Sequence, residues 1–283
     1  MKTLRSISTA FYLVIMCTYF ISCSEEELII NEDGIVINQK KLVEMEMTDD
    51  YETVIWNFFY DTQNRLTHIV KKDYDLKNKE QTGSTIRNIT WENSTISIKD
   101  GNESSIYTYD GDLIRDNTYT ETPRDGSYTT SYIYKSSNQL HMIVDEYDGS
   151  IDNTFTWKDG KIIKGEYTRN RSNYEYEFSY SGKTCKGWFP LFKTALVEGH
   201  IIDTLNEVNY FEFFCAHPEL IGLNHNNLVD KIYRKDSYGT DIEEISYTLD
   251  NDKYVKKCTI KKTEDYNSSD PDIEYMVCTF TWE

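Results

Sequence analysis

Apolar and polar residues alternate with a period of two along most of this chain. The stretch 173–180 shows it best. Tyr174, Tyr176, Phe178 and Tyr180 share one face of an extended strand, while Asn173, Glu175, Glu177 and Ser179 share the other. The alternation recurs inside one repeated unit: an aromatic-x-aromatic pair, a polar turn, then an apolar strand. Copies are Phe58-Phe59-Tyr60-Asp61 leading to Arg65-Leu66-Thr67, Ile89-Thr90-Trp91-Glu92 leading to Thr95-Ile96, and Tyr107-Thr108-Tyr109-Asp110-Gly111-Asp112-Leu113-Ile114. Tyr132-Ile133-Tyr134-Lys135 leads in the same way to Gln139-Leu140, and Phe155-Thr156-Trp157-Lys158 to Asp159-Gly160-Lys161-Ile162. Phe178-Ser179-Tyr180-Ser181-Gly182-Lys183 and Tyr247-Thr248-Leu249-Asp250 before Tyr254-Val255 complete the set, ahead of a terminal strand from Met276 to Trp282. Asp-Gly and Ser-Gly supply the positive backbone angles of tight hairpin turns.

These units predict a mainly β fold, an antiparallel meander of hairpins in which each strand pairs with its sequence neighbour. A sheet this long twists and curls. It ends either as a strongly curved open sheet or as a closed barrel, and the alternation fits both. A carboxylate at every second position is costly against lipid, so the sheet is expected to face water and not to span a membrane.

The pattern fails from Trp188 to Lys231. Thr204-Leu205-Asn206-Glu207 has the form of a capping box. Leu205, Val208, Phe211 and Cys215, with Glu212 between, then fit a short amphipathic helix that ends before Pro218. A helical insertion over about 188–231, with its helix near 200–216, is expected to plug or cover one end or face of a single β domain spanning 41–283.

Composition narrows the function classes. Formal charge is -18. Nucleic-acid binding rests on Lys and Arg neutralising phosphates, so no nucleic-acid partner is expected. Hydrophobic residues make up 39% of the chain, enough for a real core. Twenty-three tyrosines, 12 phenylalanines and only four prolines fit strands with bulky side chains on a pleated surface.

Lys2 and Arg5 precede an apolar run from about Ala10 to Ile21, and Phe20-Ile21-Ser22-Cys23 is followed by Ser24-Glu25-Glu26-Glu27. The layout is that of a secretory signal, and it resembles a bacterial lipoprotein signal. That resemblance implies cleavage before Cys23, acylation of its thiol and a membrane partner reached through that lipid. Acyl chains contribute about 0.8 kcal/mol per buried methylene, so two or more anchor durably. Ser-Glu-Glu-Glu resembles the acidic tag of Bacteroidetes lipoproteins, implying the outer face of the outer membrane. A plain cleavable signal is the alternative, favoured by Phe20 where leucine is usual. Residues 1–22 then form the signal peptide and 23–40 an acidic, flexible tether. Losing Lys2 and Arg5 takes the formal charge to -20.

The hairpin grammar resembles the tyrosine-aspartate repeats of large bacterial surface proteins, where the repeat is structural. His217-Pro218-Glu219-Leu220-Ile221-Gly222-Leu223, followed by Asn227-Leu228-Val229-Asp230-Lys231-Ile232, is similar to a segment of uncharacterised Bacteroides-type surface lipoproteins with a porin-like fold. Tyr247 to Val255 is similar to their closing hairpin. Val229 stands where that pattern has proline, and His225 where it has a small polar or basic residue. The resemblance implies a porin-like fold and brings no catalytic residues.

Candidate chemistry is sparse. The histidines are His68, His141, His200, His217 and His225, without a His-Glu-x-x-His signature. Cys215, His217 and His225 lie close in sequence, but a histidine packed at a helix end is the commoner outcome, and neither metal nor other cofactor is expected. There is no Gly-x-Ser-x-Gly elbow and no phosphate-binding glycine loop. Asp61, Asp110, Asp159 and Asp250 stand at strand ends, where aspartates cap turns. Cys258 and Cys278 fall in the last two strands and can face each other as a disulfide, the alternative being buried thiols. Trp91, Trp157 and Trp188 are the candidate ligand-binding residues, since exposed aromatic rings suit stacking on sugars; the competing reading places the rings in the core. The expectation is a non-enzymatic surface module binding extracellular glycan or a protein partner. The alternatives are a carrier of an apolar ligand in a half-barrel and a glycan hydrolase with paired carboxylates.

Overall fold

The computed structural model describes residues 40–283 except 78, 122–125, 136–137, 146–150, 170–171, 187–209, 223–225, 236–238 and 265–267, and before them only two short strands. Those strands, β1 (Ile29–Ile30) and β2 (Val36–Ile37), pair antiparallel with each other. They belong to a unit, Met1–Lys40, distinct from Lys41–Glu283. The signal-like segment, Cys23 and most of the expected tether lie outside the described residues, as do Trp188 and the capping box at 204–207.

Sixteen further strands follow: β3 (Leu42–Thr48), β4 (Glu52–Tyr60), β5 (Leu66–Asp75), β6 (Glu80–Trp91), β7 (Thr95–Asp100), β8 (Glu103–Asp110), β9 (Leu113–Glu121) and β10 (Gly126–Tyr134). Then come β11 (Leu140–Asp145), β12 (Ile151–Lys158), β13 (Lys161–Arg169), β14 (Ser172–Thr184), β15 (Asn227–Lys235), β16 (Thr240–Leu249), β17 (Val255–Thr263) and β18 (Ile273–Trp282). Each pairs antiparallel with its sequence neighbours, and β18 pairs with β3 to close a barrel. Phe280 stands opposite Met45, and Lys41 and Glu283 exchange two backbone hydrogen bonds at the seam. Closure leaves no strand edge unpaired. Of the two architectures open at the sequence level, the barrel is the one formed.

Wall side chains alone do not fill a barrel of sixteen strands, which ordinarily encloses a channel. Here the long connection from β14 to β15 supplies the filling. It carries helix α1 (Phe211–Ala216) and a 3-10 turn, Pro218–Ile221. The helix stops where expected, because Pro218 has no N–H to continue it, but it starts at Phe211, with Tyr210 non-helical before it, so Phe211 and Cys215 do not continue a helix begun near Leu205. Tyr210, Phe213 and Phe214 have no exposed surface, and they join the inward residues of the wall, such as Trp56, Tyr107 and Phe155, in one apolar cluster. Phe213 and Phe214 pack on Tyr107 with ring centroids 6.1 and 5.6 Å apart. Glu212, also fully buried, forms an ion pair with Arg87 of β6. Arg87 reaches Asp100 at 3.0 Å as well, and its guanidinium lies 5.1 Å from the centre of the Tyr210 ring. The expected plug is therefore present, and it enters the barrel.

The outer wall has the opposite chemistry. Lys164 holds Glu166 at 2.9 Å and Glu175 at 2.8 Å, Lys235 holds Glu177 at 3.0 Å, and Lys231 holds Glu244 at 3.1 Å. These ladders cross β13 to β16 among the outward positions. A barrel that spans a bilayer carries an outward apolar band about 25 Å tall, and the charged ladders interrupt any such band where they cross these four strands.

Candidate functional site: an aromatic rim and the cleft beside it

The repeated unit has a geometric meaning at the end of the barrel where the helix sits. Every even-numbered strand from β4 to β18 ends near an inward-leaning aromatic whose polar tip donates a hydrogen bond to a main-chain carbonyl at or near the start of the preceding strand. Tyr60 donates to Leu42 at 2.8 Å, Trp91 to Leu66 at 2.8 Å, Tyr109 to Glu92 at 2.8 Å and Tyr134 to Ile114 at 2.8 Å. Trp157 donates to Leu140 at 2.7 Å, Tyr180 to Ile162 at 2.6 Å, Tyr247 to Val229 at 2.7 Å and Trp282 to Val255 at 2.8 Å. The residue two places earlier on each strand (Phe58, Ile89, Tyr107, Tyr132, Phe155, Phe178, Ile245, Phe280) is buried in the core. Thus the first member of each pair fills the barrel and the second ties its rim. Burial raises the hydroxyl pKa of Tyr134 and Tyr180 above the ordinary tyrosine value, and of Tyr60 likewise with help from the Glu219 charge, so these donors stay protonated at neutral pH.

Turn chemistry supports the rim. Asp61 accepts the backbone N–H of Gln63 at 2.8 Å and of Arg65 at 3.0 Å, and Asp250 does the same for Asp252 and Tyr254, both at 2.9 Å. Burial pushes the Asp61 carboxyl upward, but hydrogen bonds from the Arg65 backbone and guanidinium and from Gln63 outweigh it, leaving the pKa below the ordinary aspartate value. The predicted role of these aspartates as turn caps holds at both positions.

The plug covers only part of the rim. Trp91 is packed by Phe213 at 6.0 Å and by His217 at 5.2 Å, and Tyr60 meets the same imidazole at 6.5 Å. His217 Nδ1 lies 2.9 Å from Glu219 Oε1, which fixes that carboxylate on the 3-10 turn. Beside it a cleft of about 320 Å³ stays open. Trp157 and Leu113 form its apolar surface, and Asp112, Asn138, Gln139 and Glu219 supply its polar groups. Gly222 closes the turn on the far side and approaches the backbone of Asn138.

The three tryptophans singled out in the sequence therefore have different fates. Trp157 lines the cleft, Trp91 lies under the plug, and Trp188 falls outside the described residues. Among the described residues no open aromatic platform is formed, because the rings serve as core and rim ties. Nothing in the local sequence around Asp112, Gln139 or Glu219 singled them out, since their convergence depends on two hairpin turns and the plug. Cys258 and Cys278 are register partners across β17 and β18, and of the two outcomes the sequence left open the disulfide is not the one made. Both are buried thiols in the apolar cluster, where cysteine packs as a small hydrophobe. His68 stacks on Phe59 at 4.3 Å, and His141 Nδ1 lies 3.3 Å from the Phe155 carbonyl oxygen. Among the described residues no three His, Cys, Asp or Glu side chains converge as a metal site.

No protein-family model matches the sequence, and no curated protein matches it. Solved structures do. A porin-like protein from Bacteroides uniformis superposes with a TM-score of 0.64 at 16% identity, over 86% of this chain and 96% of that one. A porin-like protein from Bacteroides vulgatus gives 0.54 at 10% identity, over 87% and 99%. At such identities the likeness concerns fold alone, and the fold of this chain is a porin-like antiparallel barrel.

Proposed function

We propose that this protein is a non-enzymatic glycan-binding module associated with the outer membrane, held there through acylated Cys23 and facing outward. The observation that carries the binding reading is the cleft. An indole faces it among carboxylates and amides, the combination that offers a stacking surface to a sugar ring and acceptors and donors to its hydroxyls. Attachment by lipid is supported by the signal-like segment, and it suits an outer wall whose charged ladders could not sit in a bilayer. The porin-like likeness agrees with an outer-membrane setting. The apolar-carrier alternative is weakened by the plug, since Phe213 and Phe214 occupy the interior that such a ligand would need.

The test is a binding screen of the mature chain against bacterial, plant and host polysaccharides, followed by tryptophan fluorescence and thermal shift, with Gln139→Ala as the variant. A ligand-dependent rise in melting temperature that weakens at least threefold in dose response with Gln139→Ala supports the reading. Absence of any response across the screen argues for the protein-partner scaffold in its place, and release of reducing ends from a bound glycan would restore the hydrolase.

A further inference from the structure

The polar lining of the cleft is biased toward acceptors and negative charge, and this bears on which saccharides it can take. Asp112, on the β8–β9 turn, has no hydrogen bond or ion pair among the described residues. Glu219 is engaged on one oxygen by His217 and is about half exposed. The nearby cations are turned to other uses: the Arg115 guanidinium lies 5.2 Å over the Tyr134 ring and the Lys161 ammonium 5.4 Å over the Tyr180 ring, and neither lines the cleft. The whole chain adds a formal charge of -18.

From this arrangement we infer that the cleft accepts saccharides without acidic groups and rejects uronic-acid and sulfated glycans. The inference rests on the glycan-binding reading and specifies its substrate class. Sugar hydroxyls donate to the carboxylate oxygens of Asp112 and Glu219 in charge-assisted hydrogen bonds, which are about twice as strong as neutral ones. A uronate brings one more acceptor-only anion to a site already holding two, with no lysine or arginine among the described residues that line it, and like charges brought together at an interface oppose binding. Trp157 stacks equally well on either ring, so the discrimination comes from charge and must respond to salt.

The experiment uses the mature chain and matched pairs of hexasaccharides in the gluco, galacto and manno series, each neutral hexamer set against its C6-oxidised uronate counterpart. Affinities are measured by calorimetry at low and at moderate ionic strength. The expected result is that a neutral hexamer binds at least about tenfold more tightly than its counterpart, equivalent to roughly 1.4 kcal/mol. The ratio should shrink at higher salt and should fall at least about threefold in Asp112→Asn, whose effect on a ratio is insensitive to overall loss of active protein. A uronate that binds as tightly as its neutral partner, or a ratio unmoved by salt and by Asp112→Asn, overturns the inference while leaving glycan binding intact. If no hexamer of either kind binds, the glycan reading fails and the inference falls with it.

Discussion

Gly222 and Gly160 offer a way to weigh the contact that holds the plug against the rim. Both residues adopt the left-handed conformation, with φ of 61° at Gly222 and 72° at Gly160. A Cβ on Gly160 would meet nothing within 4 Å, whereas one on Gly222 would lie 2.3 Å from the Asn138 carbonyl oxygen and 3.1 Å from Tyr134 Cε1. Neither neighbour yields easily. The oxygen is backbone in the β10–β11 turn, and the Tyr134 ring is tied by its hydroxyl to Ile114. The left-handed strain costs an L-residue about 1 kcal/mol, and this is the whole penalty expected for Gly160→Ala. Gly222→Ala adds an overpacking cost of about 1–3 kcal/mol, for a total near 2–4 kcal/mol. Urea unfolding of the mature chain, followed by tryptophan fluorescence, reads both losses as shifts in midpoint at constant slope. Equal losses in the two variants would refute the argument, since only the packed neighbour distinguishes them.

Four further outcomes follow from the same geometry. Tyr134→Phe removes the donor to the Ile114 carbonyl while keeping the ring, and should cost about 1 kcal/mol in the same assay; no loss would mean the rim tie does not stabilise the barrel. Asn117 of β9 is fully buried, and neither of its amide atoms has a hydrogen-bond partner among the described residues, so Asn117→Leu should raise stability by about 1–2 kcal/mol, and a loss would point to a partner for the amide. Burial pushes the Cys185 thiol up to about 12, and Cys258 and Cys278 are buried too, so a thiol reagent on native protein should label Cys215 first and the others only on unfolding. Rapid native labelling of Cys185 by peptide mapping would contradict the packing. For pH, the hydrogen bonds from Lys164 and Lys231 hold the Glu175 and Glu244 carboxyls below the ordinary glutamate value, while those same contacts raise both lysines. A depressed carboxyl stabilises the fold above its unfolded pKa and loses that contribution as pH falls through the folded value; a raised lysine stabilises below its unfolded pKa and loses it as pH climbs through the folded one. Stability should therefore be flat from about pH 6 to 9 and decline below about pH 4. Because the ladders are exposed, added salt should flatten the decline; a midpoint that drifts between pH 6 and 9 would assign the dependence to other groups.

Strand character, hairpin order and the acidic, water-facing wall were legible in the sequence because each is local. A side chain's face follows from its parity, and a turn from the few residues that permit positive φ. The paired aromatics were legible as a motif, although the copy near Tyr247 was placed one step late: the tie there is Tyr247 with Ile245 as its core partner, and Phe280 with Trp282 makes another. Three things required the tertiary structure. Closure depends on residues 42–48 meeting 277–282, a pairing between the two ends of the domain that local alternation cannot encode. The end of the expected helix before Pro218 could be read, but not its start at Phe211 or its entry into the barrel, where Glu212 meets Arg87, a residue far away in sequence. The cleft gathers Asp112, Gln139, Trp157 and Glu219 from separate turns and the plug, so it exists only once the barrel is shut. The alternation determined which way each side chain points, and the fold decided which of them meet, because facing is set by neighbours along the chain and meeting by closure across it.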